Sequence, residues 1–216
     1  MKPLYTQHTT IPEQYIVDSF ERFLIEDQAH RDLSTEHSID SERTACAHIV
    51  AEESLIFSGS LILNTILKEY DVELFVQDGD PCNEGDLIAK IAAPATVLLS
   101  YERILLNLIQ RLSGVSFLTA QYVQKLNSSQ IKILDTRKTT PGIRLFEKYA
   151  VCVGGGYNHR LDLYHGIMLK DNHLALINDL EQVLDDIKKQ HPTKRIQIEI
   201  DYFDQLKQNL KPHFQI

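Results

Sequence analysis

The chain has 216 residues, 43% hydrophobic and 24% charged, the balance of an ordinary globular protein with enough length to bury a substantial core. Its 22 Lys and Arg against 30 Asp and Glu give a net charge of −8, which argues against a nucleic-acid partner. The apolar runs, such as residues 60–67, are too short to span a bilayer.

The three cysteines, Cys46, Cys82 and Cys152, are far apart and form no C-x-x-C pair. That fits a reduced, cytoplasmic protein and argues against a disulfide framework or a zinc site. The N-terminus lacks the apolar core of a signal peptide.

In chain order, the spacing of Ile16, Phe20, Phe23 and Leu24 predicts a helix over residues 13–27, with Pro12 suited to its first turn. Turn-forming runs at 78–81 and 83–86 bracket a hairpin-like pair of segments, 72–76 and 87–91. A long helix is expected from Pro94 to Ser113-Gly114. It is apolar nearly all round except for a stripe of Arg103, Asn107, Gln110 and Arg111. Such a stripe faces either a cleft, another subunit or a structural ion pair.

From residue 129 the pattern becomes regular. Strands are expected at 130–134, 166–169 and 195–201. A helix carrying Ile177, Leu180, Val183, Leu184 and Ile187 is expected, with Asn178 and Glu181 at capping-box spacing. A last helical segment holds Phe203, Leu206 and Leu210. Strands alternating with helices imply parallel pairing through right-handed crossovers, hence an α/β fold. In such folds ligands bind beyond the carboxyl ends of the strands. Arg137, Lys138 and Lys170 fall there. Glu199 alternates away from Ile196, Ile198 and Ile200, so in a barrel it would point inward.

Charge is unevenly spread. Between residues 137 and 170, Arg137, Lys138, Arg144, Lys148, Arg160 and Lys170 are opposed only by Glu147 and Asp162. This local positive island suits a small, highly charged anion, or else forms a solvated basic face. The run DTRKTTPG (135–142) reads as an anion loop, with Arg offering a planar fork and Lys a point charge. The glycines of GGGYNHR (154–160) would let backbone N–H groups approach a ligand.

DTRKTTPGIR (135–144), EKYAV (147–151), GGGYNHR (154–160) and LKDNH (169–173) together resemble the quinolinate phosphoribosyltransferase family. The likeness extends to Glu102-Arg103, to LLNLIQRLSG (105–114), to Glu26-Asp27 and DLST (32–35), and to Ile198-Glu199-Ile200. The resemblance implies an N-terminal α/β domain (1–112) followed by an α/β barrel of parallel strands (113–216). The barrel is expected to be incomplete, because the family continues past the Glu199 strand through further strand–helix units. An unpaired parallel edge would then follow. A fragment of a normal enzyme, a shortened relative that is weakly active or non-catalytic, and a chain completed by a partner all fit that departure.

The implied reaction joins quinolinate to 5-phosphoribosyl pyrophosphate. It yields nicotinate mononucleotide, pyrophosphate and CO2, a step of NAD biosynthesis; a related phosphoribosyltransferase acting on another anionic base is the alternative. The family pattern gives Arg137, His159 and Arg160 the quinolinate carboxylates. It gives Lys138 and Lys170 the carboxylate and phosphate groups, and Glu199 the ribose or the shell of an assisting Mg2+. Lys138, Lys170 and Glu199 would be the catalytic groups. Arg103 would reach into the site of a neighbouring subunit in a homodimer or larger assembly. His173 is expected to position its loop, and Cys152 to be a packed small residue.

Overall fold

The computed structural model describes residues 3–202 and 204–205. It divides into two compact units, residues 1–159 and 160–216, and each is described by itself. The last expected helical segment, with Phe203, Leu206 and Leu210, falls largely outside the described residues.

The first unit opens with α1 (Glu13–Glu26), which starts directly after Pro12 as the apolar spacing predicts. Ile16, Phe20 and Leu24 are its buried apolar residues. A 3-10 turn (Ala29–Arg31) leads to α2 (Leu33–Ser38), capped by the Asp32 carboxylate, which accepts from the Ser34 and Thr35 N–H groups. Next come β1 (Thr44–Val50), β2 (Leu55–Ile56), α3 (Ser60–Ile66), β3 (Asp71–Leu74), β4 (Pro81–Cys82) and β5 (Leu87–Pro94). The expected pairing of the segments around the 78–86 turns is present as β3 against β5, antiparallel, with Val72 opposite Ile91. Strand β5 is central, because β1 pairs along its other edge; β2 and β4 form a separate two-stranded ribbon.

The long helix does not end at Gly114. Helix α4 runs from Ala95 to Leu126, 32 residues. One glycine inside a helix costs only about 1 kcal/mol, and tertiary packing outweighs it here. Beyond Gly114 the helix buries Ser116, whose hydroxyl donates to the Ala150 carbonyl at 2.8 Å, and Thr119, whose hydroxyl donates to the Val115 carbonyl. Before Gly114 the helix buries Leu105, Leu108 and Leu112 in one core with Phe57, Leu63 and Phe146. Each such burial is worth about 1.5–3 kcal/mol.

Helix α5 (Arg144–Val153) follows, with Phe146, Glu147, Lys148, Tyr149 and Ala150 all buried. A run of consecutive buried residues covers every side of a helix, so each buried polar group needs its own partner. The Tyr149 hydroxyl donates to Asp78, whose other oxygen accepts from the N–H groups of Gly59 and Ser60 at the start of α3.

The second unit contains β6 (Ile167–Leu169), α6 (Asp171–Leu174), α7 (Leu180–Gln190) and β7 (Ile196–Ile198). Strands β6 and β7 pair in parallel, Leu169 opposite Ile198, as the strand–helix–strand pattern predicts. The cap of α7 is Asp179, not Asn178: its carboxylate accepts from the Gln182 N–H at 3.0 Å. A charged cap is favoured at the positive end of the helix.

Candidate active site

In the first unit, the expected strand at 130–134 reduces to a single parallel bridge between Leu134 and Tyr157. The N–H groups of Gln130 and Ile131 both donate to the Ser128 hydroxyl, so they are spent on a local turn rather than a ladder. Past the bridge, Asp135 and His159 lie side by side. Asp135 Oδ1 accepts from the His159 N–H at 2.8 Å and from Lys148 Nζ at 2.5 Å, while Oδ2 accepts from Asn158 Nδ2 at 2.7 Å. Lys148 Nζ also donates to the His159 carbonyl at 3.2 Å. Both main-chain groups of His159 are therefore held by a buried ion pair. Lys148, counted above with the positive island, is fully buried and structural; it belongs neither to a solvated face nor to an open anion site.

The 135–143 loop spends its threonines on itself and on the start of α5. Thr136 Oγ1 accepts from the Lys138 N–H, Thr139 Oγ1 accepts from Arg144 Nε, and Gly142 takes a left-handed φ of 87°. The Thr140 N–H and hydroxyl both donate to Glu147. Arg111 also donates to Glu147, through Nε at 2.8 Å and Nη2 at 2.7 Å. Burial pushes the Glu147 pKa up, but the Thr140 N–H, Arg111 and the Thr140 hydroxyl outweigh it and hold it below the ordinary value. The side chains left for a ligand are Arg137 and Lys138. Lys138 is exposed and Arg137 half-buried, and the buried Arg137 Nε has no partner among the described residues.

The glycine run does not offer its N–H groups to a ligand. Those of Gly154, Gly155 and Gly156 donate to the carbonyls of Ala150, Cys152 and Val151. They close α5 in a Schellman turn, with Gly155 at φ 83°. The run is small in order to pack: a Cβ on Gly154 would lie 2.4 Å from the Ser116 carbonyl oxygen, and one on Gly156 would lie 2.8 Å from Thr119 Cγ2. Cys152 is half-buried, its thiol donating to Asn158 Oδ1 and its pKa raised by burial, as a packed residue should be.

Arg103, Asn107 and Arg111 line a groove with Glu26, Asp27 and Thr140. The polar stripe of α4 thus serves two of the expected ends: Arg111 is ion-paired with Glu147, while Arg103 is exposed on the groove.

In the second unit, Lys170 and Glu199 follow β6 and β7 and meet, Nζ to Oε2, at 2.7 Å. Both side chains are about half exposed. Arg160 is buried and donates from Nη1 to the Gly166 carbonyl at 2.7 Å. The Lys170 N–H donates to His173 Nδ1, so His173 shapes the turn at the strand end. Asp135, Glu147, Lys148 and Asn158 are the supporting residues that sequence reasoning missed. They lie inside the quoted motifs, but their type alone does not separate a support from a ligand contact.

Family models for the N-terminal and C-terminal domains of quinolinate phosphoribosyl transferase match residues 32–113 and 115–216. The chain belongs to the quinolinate phosphoribosyltransferase family. A probable nicotinate-nucleotide pyrophosphorylase [carboxylating] of Bacillus subtilis is 45% identical over 194 residues, 86% of this chain and 66% of that protein. The nicotinate-nucleotide pyrophosphorylase [carboxylating] of Mycobacterium leprae is 33% identical, over 88% of this chain and 69% of its own. The crystal structure of NadC from Streptococcus pyogenes superposes with a TM-score of 0.83 at 35% identity, covering 92% of this chain and 72% of that one. The chain therefore spans just under two thirds of the Bacillus relative's length. These likenesses carry the α/β fold of the family. Among the described residues, no helix is long and apolar enough to cross a membrane.

Proposed function

We propose that this member of the quinolinate phosphoribosyltransferase family transfers the phosphoribosyl group of 5-phosphoribosyl pyrophosphate to quinolinate in NAD biosynthesis. The pyridine nitrogen bonds to the ribose anomeric carbon as the bond to pyrophosphate breaks. The carboxylate beside the nitrogen then leaves as CO2, and a proton takes its place on the ring, giving nicotinate mononucleotide. The observation that carries this reading is the half-buried Arg137, whose buried Nε has no partner among the described residues. A guanidinium held ready in this way suits a carboxylate.

The residue roles proposed are those the resemblance implies. Arg137, His159 and Arg160 receive the quinolinate carboxylates, and Lys138 and Lys170 contact carboxylate and phosphate. Glu199 faces the ribose, and Arg103 serves a neighbouring subunit in a homodimer or larger assembly. Fixed cations need no reorganisation as charge develops on the leaving pyrophosphate and on the ring, and holding two polyanions together supplies much of the remaining acceleration. The N-terminal (1–112) and barrel (113–216) modules, joined within α4, and a cytoplasmic location belong to the same proposal.

Magnesium fits as an ion carried largely by the substrate. Among the described residues no three His, Cys, Asp or Glu side chains gather as ligands. The half-exposed Glu199 carboxylate suits a hard cation whose other ligands are pyrophosphate oxygens and water. When bound, it would neutralise pyrophosphate charge.

The test is release of labelled CO2 from quinolinate with 5-phosphoribosyl pyrophosphate. Arg137→Ala and Lys138→Ala should each lower turnover by about 100-fold or more, and quinolinate should bind far more tightly than nicotinate, which has one carboxylate fewer. Unchanged affinity and turnover in both variants would overturn the charge-clamp reading.

A further inference from the structure

The segment before α1 is tied to the far end of the first unit. Gln7 bonds both main-chain groups of Asn158: its Oε1 accepts from the Asn158 N–H at 2.7 Å, and its Nε2 donates to the Asn158 carbonyl at 3.1 Å. The His8 N–H donates to Asn158 Oδ1 at 2.7 Å. Gln7 Nε2 also donates to the Tyr5 carbonyl at 2.8 Å, which fixes the turn that presents Tyr5. The Tyr5 ring then lies against the His159 ring, centroids 4.6 Å apart and planes tilted by 43°, inside the range of favourable aromatic pairs.

Terminal segments usually fray unless they are tied down. This one spends its polar groups on a residue 151 positions away. Asn158 is almost wholly buried, and its amide is used in full, since Nδ2 also donates to Asp135 and to the Lys148 carbonyl. The two sets of contacts divide the work. Asp135 and Lys148 hold the main chain of His159, from which its side chain extends. Tyr5 acts on the ring.

We propose that Tyr5 and Gln7 are positioning residues that orient the His159 imidazole towards the carboxylate-bearing substrate, Gln7 by docking the segment on Asn158 and Tyr5 by packing on the ring. This rests on the reading of His159 as a carboxylate contact. It predicts an effect on the pyridine substrate that the phosphoribosyl donor does not share.

The experiment uses the full chain with isotope-labelled histidine. The His159 ring signals, assigned through His159→Gln, should be displaced by the Tyr5 ring current. They should move in Tyr5→Ala and stay in place in Tyr5→Phe. Quinolinate should bind about tenfold more weakly to Tyr5→Ala and to Gln7→Ala. Tyr5→Phe should keep its affinity for quinolinate, and 5-phosphoribosyl pyrophosphate should bind every variant within about twofold of the unsubstituted chain. Unmoved His159 signals in Tyr5→Ala, or equal weakening of both ligands, would overturn the proposal. If the unsubstituted chain binds no quinolinate, the substrate reading fails instead, and the His159 signals still decide whether Tyr5 orients the ring.

Discussion

The ammonium of Lys148 and the carboxylate of Asp135 meet at 2.5 Å, with the lysine side chain fully buried and the aspartate 6% exposed. Neither charge is open to water, so each depends on the other, and between them they hold the backbone of His159. Removing one partner strands the other. Lys148→Met should therefore cost about 3–5 kcal/mol, seen as a melting temperature lower by about 10 °C or more. Adding Asp135→Leu should recover little. The carboxylate also satisfies Asn158 Nδ2 and the His159 N–H, and a leucine satisfies neither. A double variant as stable as the original chain would show that those two bonds contribute nothing.

Glu147 gives the fold an acid-sensitive point. Its carboxylate is held below its ordinary pKa of 4.5 although burial acts in the opposite direction, because the Thr140 N–H, Arg111 and the Thr140 hydroxyl all favour the charged form. A depressed folded-state pKa adds stability that is present above the unfolded value and is lost as pH falls through the folded one. Unfolding monitored against pH should therefore show a loss beginning near pH 4.5 and continuing below it. Glu147→Gln should flatten this limb and cost about 2 kcal/mol at neutral pH. An unchanged acid limb in that variant would assign the effect to other carboxylates.

What could be read from the sequence follows from range. Helix α1 was readable because Pro12, Ile16, Phe20 and Leu24 act within a few turns of each other. The places of Lys170 and Glu199 were readable because each directly follows a short apolar strand, β6 or β7. The end of α4 was misjudged because the signal at Gly114 is about 1 kcal/mol, weaker than the packing of Ser116 and Thr119 beyond it. The glycine run was read as open to a ligand because sequence shows how small those residues are but not what fills the space beside them. The contact of Gln7 with Asn158 has no local pattern at all.

The Lys170–Glu199 pair separates function from stability. Both side chains are about half exposed, and an ion pair in that setting contributes about 0–1 kcal/mol. Lys170→Ala should leave the melting temperature within about 4 °C of the original. On the substrate reading, the same change should lower phosphoribosyl transfer by about 100-fold or more. Thermal unfolding and CO2 release measured on one preparation check both halves. A variant that melts early and is inactive would make Lys170 a structural residue, and one that is stable and fully active would remove it from the site.

Glycines at two places on the helices should respond in opposite directions. Gly114 lies within α4, and a methyl group added there would have nothing within 4 Å, whereas the Cβ of Gly154 would fall 2.4 Å from the Ser116 carbonyl oxygen and 2.7 Å from Thr119 Cβ. Gly114→Ala should raise stability by about 0.4–1 kcal/mol, through the reduced freedom of the unfolded chain and the better helix propensity. Gly154→Ala must push α5 away from α4 and should destabilise by about 2 kcal/mol or more. Because α5 carries Glu147 and Lys148, the shift should also disturb the Arg137 loop and His159, so on the substrate reading turnover should fall along with stability. Denaturant unfolding of the two variants measures the contrast. Equal responses would mean that the close approach of the glycine run to α4 is not what the fold requires of it.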